Sequence, residues 1–196
     1  LEQVAKEHNV PIIPHETALF MRLLLRLINP SKILEIGTAY GFSATLFAKF
    51  TKEDCRIDTI ERFPVMIEKA SQVFSQVKSG GKINLIAGDA IDILPKLVEN
   101  NLKTENKYDF IFLDCAKAQY VKYIPFCLKI LAKNGVIAID DIFQGGSVFD
   151  KPEEVKYRQR KIYQGLNQLF SEIYNNQNLE VSSLPLGDGL MIIQAV

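Results

Sequence analysis

The stretch from Ile33 to Ser43, ILEIGTAYGFS, constrains the fold of this chain more than any other. A short apolar run containing Glu35 leads into a turn with Gly37 and Gly41, and a run of helical character follows. That is a strand, a turn and a helix start. In an open α/β sheet such a turn gathers backbone N–H groups at the carboxyl end of a strand, where ligands bind. The chain downstream repeats the unit. Lys32–Ile36, Cys55–Ile60, Ile83–Ala87, Asp109–Leu113 and Val136–Ile139 read as strands rich in Val, Ile, Leu and Phe. Phe42–Phe50, Pro64–Val77, Ala90–Glu99 and Tyr120–Ala132 read as helices between them, and Asn100–Lys107 as a polar loop. The alternation predicts an α/β fold with a mostly parallel sheet and right-handed crossovers.

The two ends depart from the alternation. Pro14–Asn29 reads as an amphipathic helix, with Leu19, Leu23, Leu24, Leu27 and Ile28 at helical spacing. Pro152–Tyr174 reads as a long helix with many charges at its start. Leu179–Leu184 and Leu190–Ala195 then read as strands joined by Pro185-Leu186-Gly187-Asp188-Gly189, a connection short enough for an antiparallel pair. The expectation is seven strands, mostly parallel, with an antiparallel last strand. At 196 residues the chain is read as one domain, 1–196, with 1–30 as a helical segment packed on it.

Lys+Arg and Asp+Glu are both 23, which argues against a chain that coats nucleic acid through bulk charge. Cys55, Cys115 and Cys127 show no CxxC spacing and read as reduced thiols of a cytoplasmic protein. No apolar run approaches the roughly 20 residues of a membrane helix. Leu1–Val10 is polar and mixed in charge, unlike a signal peptide. The first residue is Leu rather than Met, which suggests a start inside a longer native chain.

Acids accompany the ends of all five strands: Glu35, Glu61, Asp89, Asp114 and the pair Asp140-Asp141. In register they would lie along one edge of the sheet. The first turn lacks the full G-x-G-x-x-G pattern, whose extra glycine lets backbone approach a pyrophosphate. A ligand without phosphate has no need of it. Glu61 suits the two hydroxyls of a ribose, and Asp89 is placed to reach an adenine edge. An adenosine bearing a cation and no phosphate is S-adenosylmethionine.

With these residues in hand, Leu34-Glu35-Ile36-Gly37-Thr38-Ala39-Tyr40-Gly41-Phe42-Ser43 resembles the first motif of the cation-dependent class I O-methyltransferases, the caffeoyl-CoA and catechol type. Phe112-Leu113-Asp114-Cys115-Ala116-Lys117-Ala118-Gln119-Tyr120 resembles their metal and catalytic segment, and Asp140-Asp141 their second metal segment. The resemblance covers nearly the whole chain and implies a Rossmann-like methyltransferase sandwich. It implies cofactor contacts at Glu35, Gly37, Thr38, Tyr40, Ser43, Glu61, Arg62, Asp89, Ala90 and Asp114, and a hard divalent cation, Mg²⁺ or Mn²⁺, on Asp114, Asp140 and Asp141. Asp114 and Lys117 are then the catalytic residues, with Lys117 as general base. A cation nearby disfavours the ammonium form that a base must leave.

Within the family, Ala116–Tyr120, the cluster Arg158-Gln159-Arg160-Lys161 and Leu184–Leu190 are most similar to the bacterial tRNA 5-hydroxyuridine methyltransferases. Cys115 and Ala118 stand where that branch usually has Ala and Gly, and Asp141 where many members have Asn. This likeness implies an anticodon-loop substrate, methylated at the wobble position, with Arg158, Arg160 and Lys161 as RNA contacts. The alternative acceptor is a small-molecule diol of the catechol or caffeoyl-CoA kind. Plant-type members carry an insertion before the last helix, whereas Ile142–Lys151 is short and favours a more open site. The resemblance also implies a homodimer. His15-Glu16-Thr17 matches a segment that borders the cofactor, while His8 and His15 are assigned no chemistry.

Overall fold

A computed structural model describes residues 13–104 and 106–196. In chain order its helices and strands are α1 (His15–Ile28), β1 (Lys32–Ile36), α2 (Phe42–Phe50), β2 (Arg56–Glu61), α3 (Pro64–Gln76), β3 (Ile83–Ala87), α4 (Ala90–Thr104), β4 (Tyr108–Leu113), α5 (Tyr120–Ile130), β5 (Leu131–Ile139), α6 (Arg160–Tyr174), β6 (Leu179–Leu184) and β7 (Leu190–Ala195). The sheet has seven strands in the order β3-β2-β1-β4-β5-β7-β6. The first five are parallel, and β7 pairs antiparallel with both β5 and β6. The order reverses between β1 and β4, which makes their carboxyl ends the topological switch point of the sheet.

Alternation along β4 shows why the sheet is a middle layer. Phe110 and Phe112 face α1 and α2, whereas Ile111 and Leu113 face α5 and α6. Phe47 of α2 lies edge-on to both phenylalanines, with ring centroids 5.9 and 5.3 Å apart. All four β4 residues are fully buried. A strand buried on both faces reads as a continuous apolar run, as this one does.

Four elements differ from the sequence expectation. The apolar residues of α1 form two stripes, and Thr17, Met21 and Leu25 are the buried one. Leu19, Leu23 and Leu27 point outward, Leu27 being 75% exposed. Helix α4 runs on through Asn100 to Thr104, a segment whose polar composition reads as loop, and Asn101 within it is buried. Strand β5 starts at Leu131, which pairs with Tyr108 before a register shift restores Val136 opposite Phe110. Asn134 takes a left-handed φ of 61° in that irregularity. Helix α6 starts at Arg160 rather than Pro152, after a short 3₁₀ turn over Tyr157–Gln159.

Candidate active site

The residues that follow β1, β3, β4 and β5 prolong the parallel ladder, so the edge is fixed by backbone. Gly37 N–H donates to Ile60 O (3.0 Å), Gly88 N–H to Glu61 O (2.8 Å), Asp114 N–H to Ile36 O (3.0 Å) and Asp140 N–H to Leu113 O (2.9 Å). Gly37 has φ 105°, and a Cβ there would lie 2.0 Å from the Asp114 carbonyl oxygen. Only glycine allows β1 and β4 to close at this point.

A cavity of about 290 Å³ opens along this edge, at the low end of the usual range for small-molecule sites. Gly37, Glu61, Arg62, Asp89, Ala90 and Asp114, all expected at the cofactor, line it. Glu61 is held rigidly: its carboxylate accepts from the amides of Ala39 (2.9 Å), Arg62 (2.8 Å) and Phe63 (2.9 Å). Asp89 accepts from the Ile91 amide at the start of α4 (3.1 Å), Arg62 Nη1 (3.2 Å) and the Tyr123 hydroxyl (3.4 Å). The amide bond at Ile91 is the main reason its carboxyl lies below the usual range. Three carboxylates against one guanidinium, beside apolar Ile60, Phe63 and Met66, fit a nucleoside that carries positive charge. Phe63, Met66 and Tyr123 were not singled out in the sequence; the signal available was their place just beyond β2 and one turn into α5.

Glu35, Thr38, Tyr40 and Ser43 do not line the cavity. Glu35 lies inside β1 rather than past its end, and it is fully buried. Ser43 and Thr59 donate to its two carboxylate oxygens, and Thr38 Oγ1 lies 2.6 Å from Thr59 Oγ1. Burial is the main cause that pushes the Glu35 carboxyl up to about 8. The first motif thus supplies a buried polar knot behind the cavity, and Gly37 in front of it. His15, Glu16 and Thr17 also lie away from the cavity lining, and His8 falls outside the described residues.

Beyond the switch point, Lys117 meets Asp141, and the charges of Asp114, Asp140 and Asp141 act on one another. Burial, then the Asp141 charge, raises Asp114 to about 6; burial, then the Asp114 charge, raises Asp140 to about 7. Asp141 sits in the left-handed region at φ 57°, with its amide donating to Asp140 Oδ1 (2.9 Å). Lys117 starts a 3₁₀ turn, and its Nζ lies 3.3 Å from Asp141 Oδ2. That turn packs on α6 through Gly165, where a Cβ would meet Ala118 Cα at 3.1 Å. Tyr120 is wholly buried; its hydroxyl donates to Asp140 O (3.1 Å) and accepts from Cys115 N–H (3.3 Å), tying the two acidic segments together. Cys115 lines the cavity as a half-buried thiol that burial pushes well above its usual range.

Among the described residues, no three His, Cys, Asp or Glu side chains stand gathered around one point as an ion would require. The donor set is nevertheless the kind a hard divalent cation takes, carboxylate oxygens whose mutual repulsion a cation would relieve. Arg158, Arg160 and Lys161 are exposed around the start of α6, Arg158 in the 3₁₀ turn and Arg160 and Lys161 in the helix itself.

Comparison with known proteins follows the same line. A family model described as O-methyltransferase matches residues 2–196. Tapetum-specific methyltransferase 1 of Arabidopsis thaliana is 28% identical over 92% of this chain and 76% of its own length. The caffeoyl-CoA O-methyltransferase of Medicago sativa is 27% identical over 100% of this chain and 80% of its own. The SAH-bound methyltransferase PaMTH1 of Podospora anserina superposes with a TM-score of 0.75 at 28% identity, covering 92% of this chain and 78% of that one.

Proposed function

Because the chain belongs to the O-methyltransferase family and is an S-adenosylmethionine-dependent enzyme of the caffeoyl-CoA type, we propose that it methylates a hydroxyl flanked by a second chelating oxygen. The observation that carries this reading is Lys117 beside Asp141 (3.3 Å), neither of them lining the cavity that Asp114 borders. Glu61 and Asp89 orient the ribose and adenine. Asp114 bounds both halves of the site and holds the cationic end of the donor. Asp114, Asp140 and Asp141 would hold Mg²⁺ or Mn²⁺. When bound, the donor supplies an electrophilic methyl group, and the metal supplies Lewis-acid polarisation of the acceptor oxygens. Lys117 takes the hydroxyl proton, and the fixed strand ends align the acceptor, which supplies much of the rate.

The acceptor we favour is a small molecule with adjacent oxygens, a catechol in the simplest case, since the similar Medicago sativa protein is named for caffeoyl-CoA. A second reading is 5-hydroxyuridine at the wobble position of a tRNA anticodon loop, where the ring hydroxyl and neighbouring carbonyl form the same chelating pair. Tyr157 supports it, 84% exposed beside Arg158 and Arg160 and suited to stacking on an unpaired base. The unpaired thiols Cys55, Cys115 and Cys127 are consistent with a cytoplasmic protein, and the outward Leu19, Leu23 and Leu27 with a homodimer.

Purified protein and labelled S-adenosylmethionine, offered catechol and tRNA carrying 5-hydroxyuridine, test the proposal. Methyl transfer to one acceptor, abolished by EDTA and restored by Mg²⁺, is expected. Transfer that persists in EDTA and in Asp140→Ala would refute the metal role, and product on tRNA alone would select the second reading.

A further inference from the structure

We propose that Asp188, in the turn between β6 and β7, is the positioning residue for Lys117 and couples it to the loop after β5. This rests on Lys117 being the base. Asp188 Oδ2 lies 3.4 Å from Lys117 Nζ, and its Oδ1 accepts from the Gly145 amide at 2.7 Å. One carboxylate therefore spans the base and the loop that follows the acidic pair.

The turn is built to present it. Asp188 O accepts from Phe143 N–H (2.8 Å), Gly189 O accepts from Ile142 N–H (3.1 Å), and Gly189 N–H donates to Leu186 O (2.9 Å). Gly187 and Gly189 flank Asp188 with φ of 55° and 91°. A Cβ on the first would lie 2.9 Å from Pro14 Cγ, and on the second 2.5 Å from the Phe143 ring. Both neighbours must be glycine for the turn to seat itself between the start of α1 and the loop after β5.

Lys117 Nζ sits on a flexible four-carbon stem, so a single partner fixes it poorly, and the neutral amine that acts as base still donates a hydrogen bond to Asp188. Its other partner is Asp141 (3.3 Å), which belongs to the acidic set that meets the acceptor. Asp188 comes from a different strand connection and stands outside that set. Whatever Asp141 engages during turnover, Asp188 keeps Nζ tethered at the acceptor side.

The test uses the full chain with Mg²⁺, S-adenosylmethionine and catechol, comparing Asp188→Asn, Lys117→Gln and the double variant. Asn keeps an acceptor for the Gly145 amide and removes the charge facing Lys117. Rates are normalised to S-adenosylmethionine-binding sites counted by calorimetry, so misfolded protein does not enter. Asp188→Asn is expected to lower kcat roughly 10–100-fold, less than the full contribution of a general base, about 10²–10⁴-fold, with the KM for S-adenosylmethionine unchanged. The double variant should be no slower than Lys117→Gln, and Asp188→Glu should recover part of the rate. Wild-type kcat in Asp188→Asn beside an inactive Lys117→Gln overturns the positioning role and leaves the base assignment standing. Full activity in Lys117→Gln overturns the base assignment itself.

Discussion

Glu35→Gln should remove a pH dependence from the stability of the fold. In the native protein the buried carboxyl titrates at about 8 against an ordinary value of 4.5. Between those values the unfolded chain has released this proton and the native chain retains it. Unfolding then releases a proton, so stability is complete below about 4.5 and falls as pH rises toward 8. The slope is about 1.4 kcal/mol per pH unit, which gives roughly 4 kcal/mol between pH 5 and pH 8. The amide of the variant carries no proton to lose and can still pair with Ser43 and Thr59. Urea unfolding followed by circular dichroism at both pH values, for wild type and variant, measures the difference. Asp114 and Asp140 are raised as well and are common to both proteins; Asp114 also acts on Glu35, so the measured difference includes their coupling. The expected result is similar stability at pH 5 and a variant more stable by about 4 kcal/mol at pH 8. Parallel curves would refute a protonated Glu35, and a variant that loses ground as pH rises would reverse the sign.

Two further substitutions probe the frame of the site. Lys82 is 7% exposed, and its Nζ donates to the carbonyls of Ala48 (3.0 Å), Thr51 (3.1 Å) and Lys52 (2.8 Å) at the end of α2; Lys82→Ala strands three acceptors and should cost roughly 2–4 kcal/mol in a urea melt, a loss below about 0.5 kcal/mol counting against the cap. Gly37→Ala drives a methyl into the Asp114 carbonyl and should lower stability by roughly 2–4 kcal/mol while weakening S-adenosylmethionine binding by calorimetry; wild-type affinity would show that the strand ends can part.

The parallel sheet was legible because each strand is a short apolar run followed by an acid or glycine, and hydrogen bonds between successive strand ends bring those residues level. Glu35 was misplaced because an acid late in an apolar run reads as an edge residue, whereas Ser43 and Thr59, one of them a strand away, form its pocket. Leu19 and Met21 are alike in hydropathy, and only the neighbouring α2 decides which stripe of α1 is covered. The late start of α6 is local: Tyr157–Gln159 forms a 3₁₀ turn, and Arg160 Nε donates to Val155 O (3.4 Å) across it. Asp188 read as one residue of a turn because its partner, Lys117, lies 71 positions away.

The strand order has a genetic counterpart. The strands β3, β2 and β1 on one side of the switch point are encoded before Thr104, and the strands β4, β5, β7 and β6 on the other side after Asn106. Most of the nucleoside cavity belongs to the first segment, with Asp114, Cys115, Ala116 and Tyr123 as the wall lent by the second. Asp114, Asp140, Asp141, Lys117 and Asp188 all belong to the second. One crossover in the connection between α4 and β4 would therefore exchange Asp114, Lys117, Asp140, Asp141 and Asp188 together, with α1 of the first segment left to pack on a new β5 and β7. The contacts to preserve in such a chimera are the β1–β4 ladder, which closes where Gly37 meets Asp114, and the packing of α1 on the second segment.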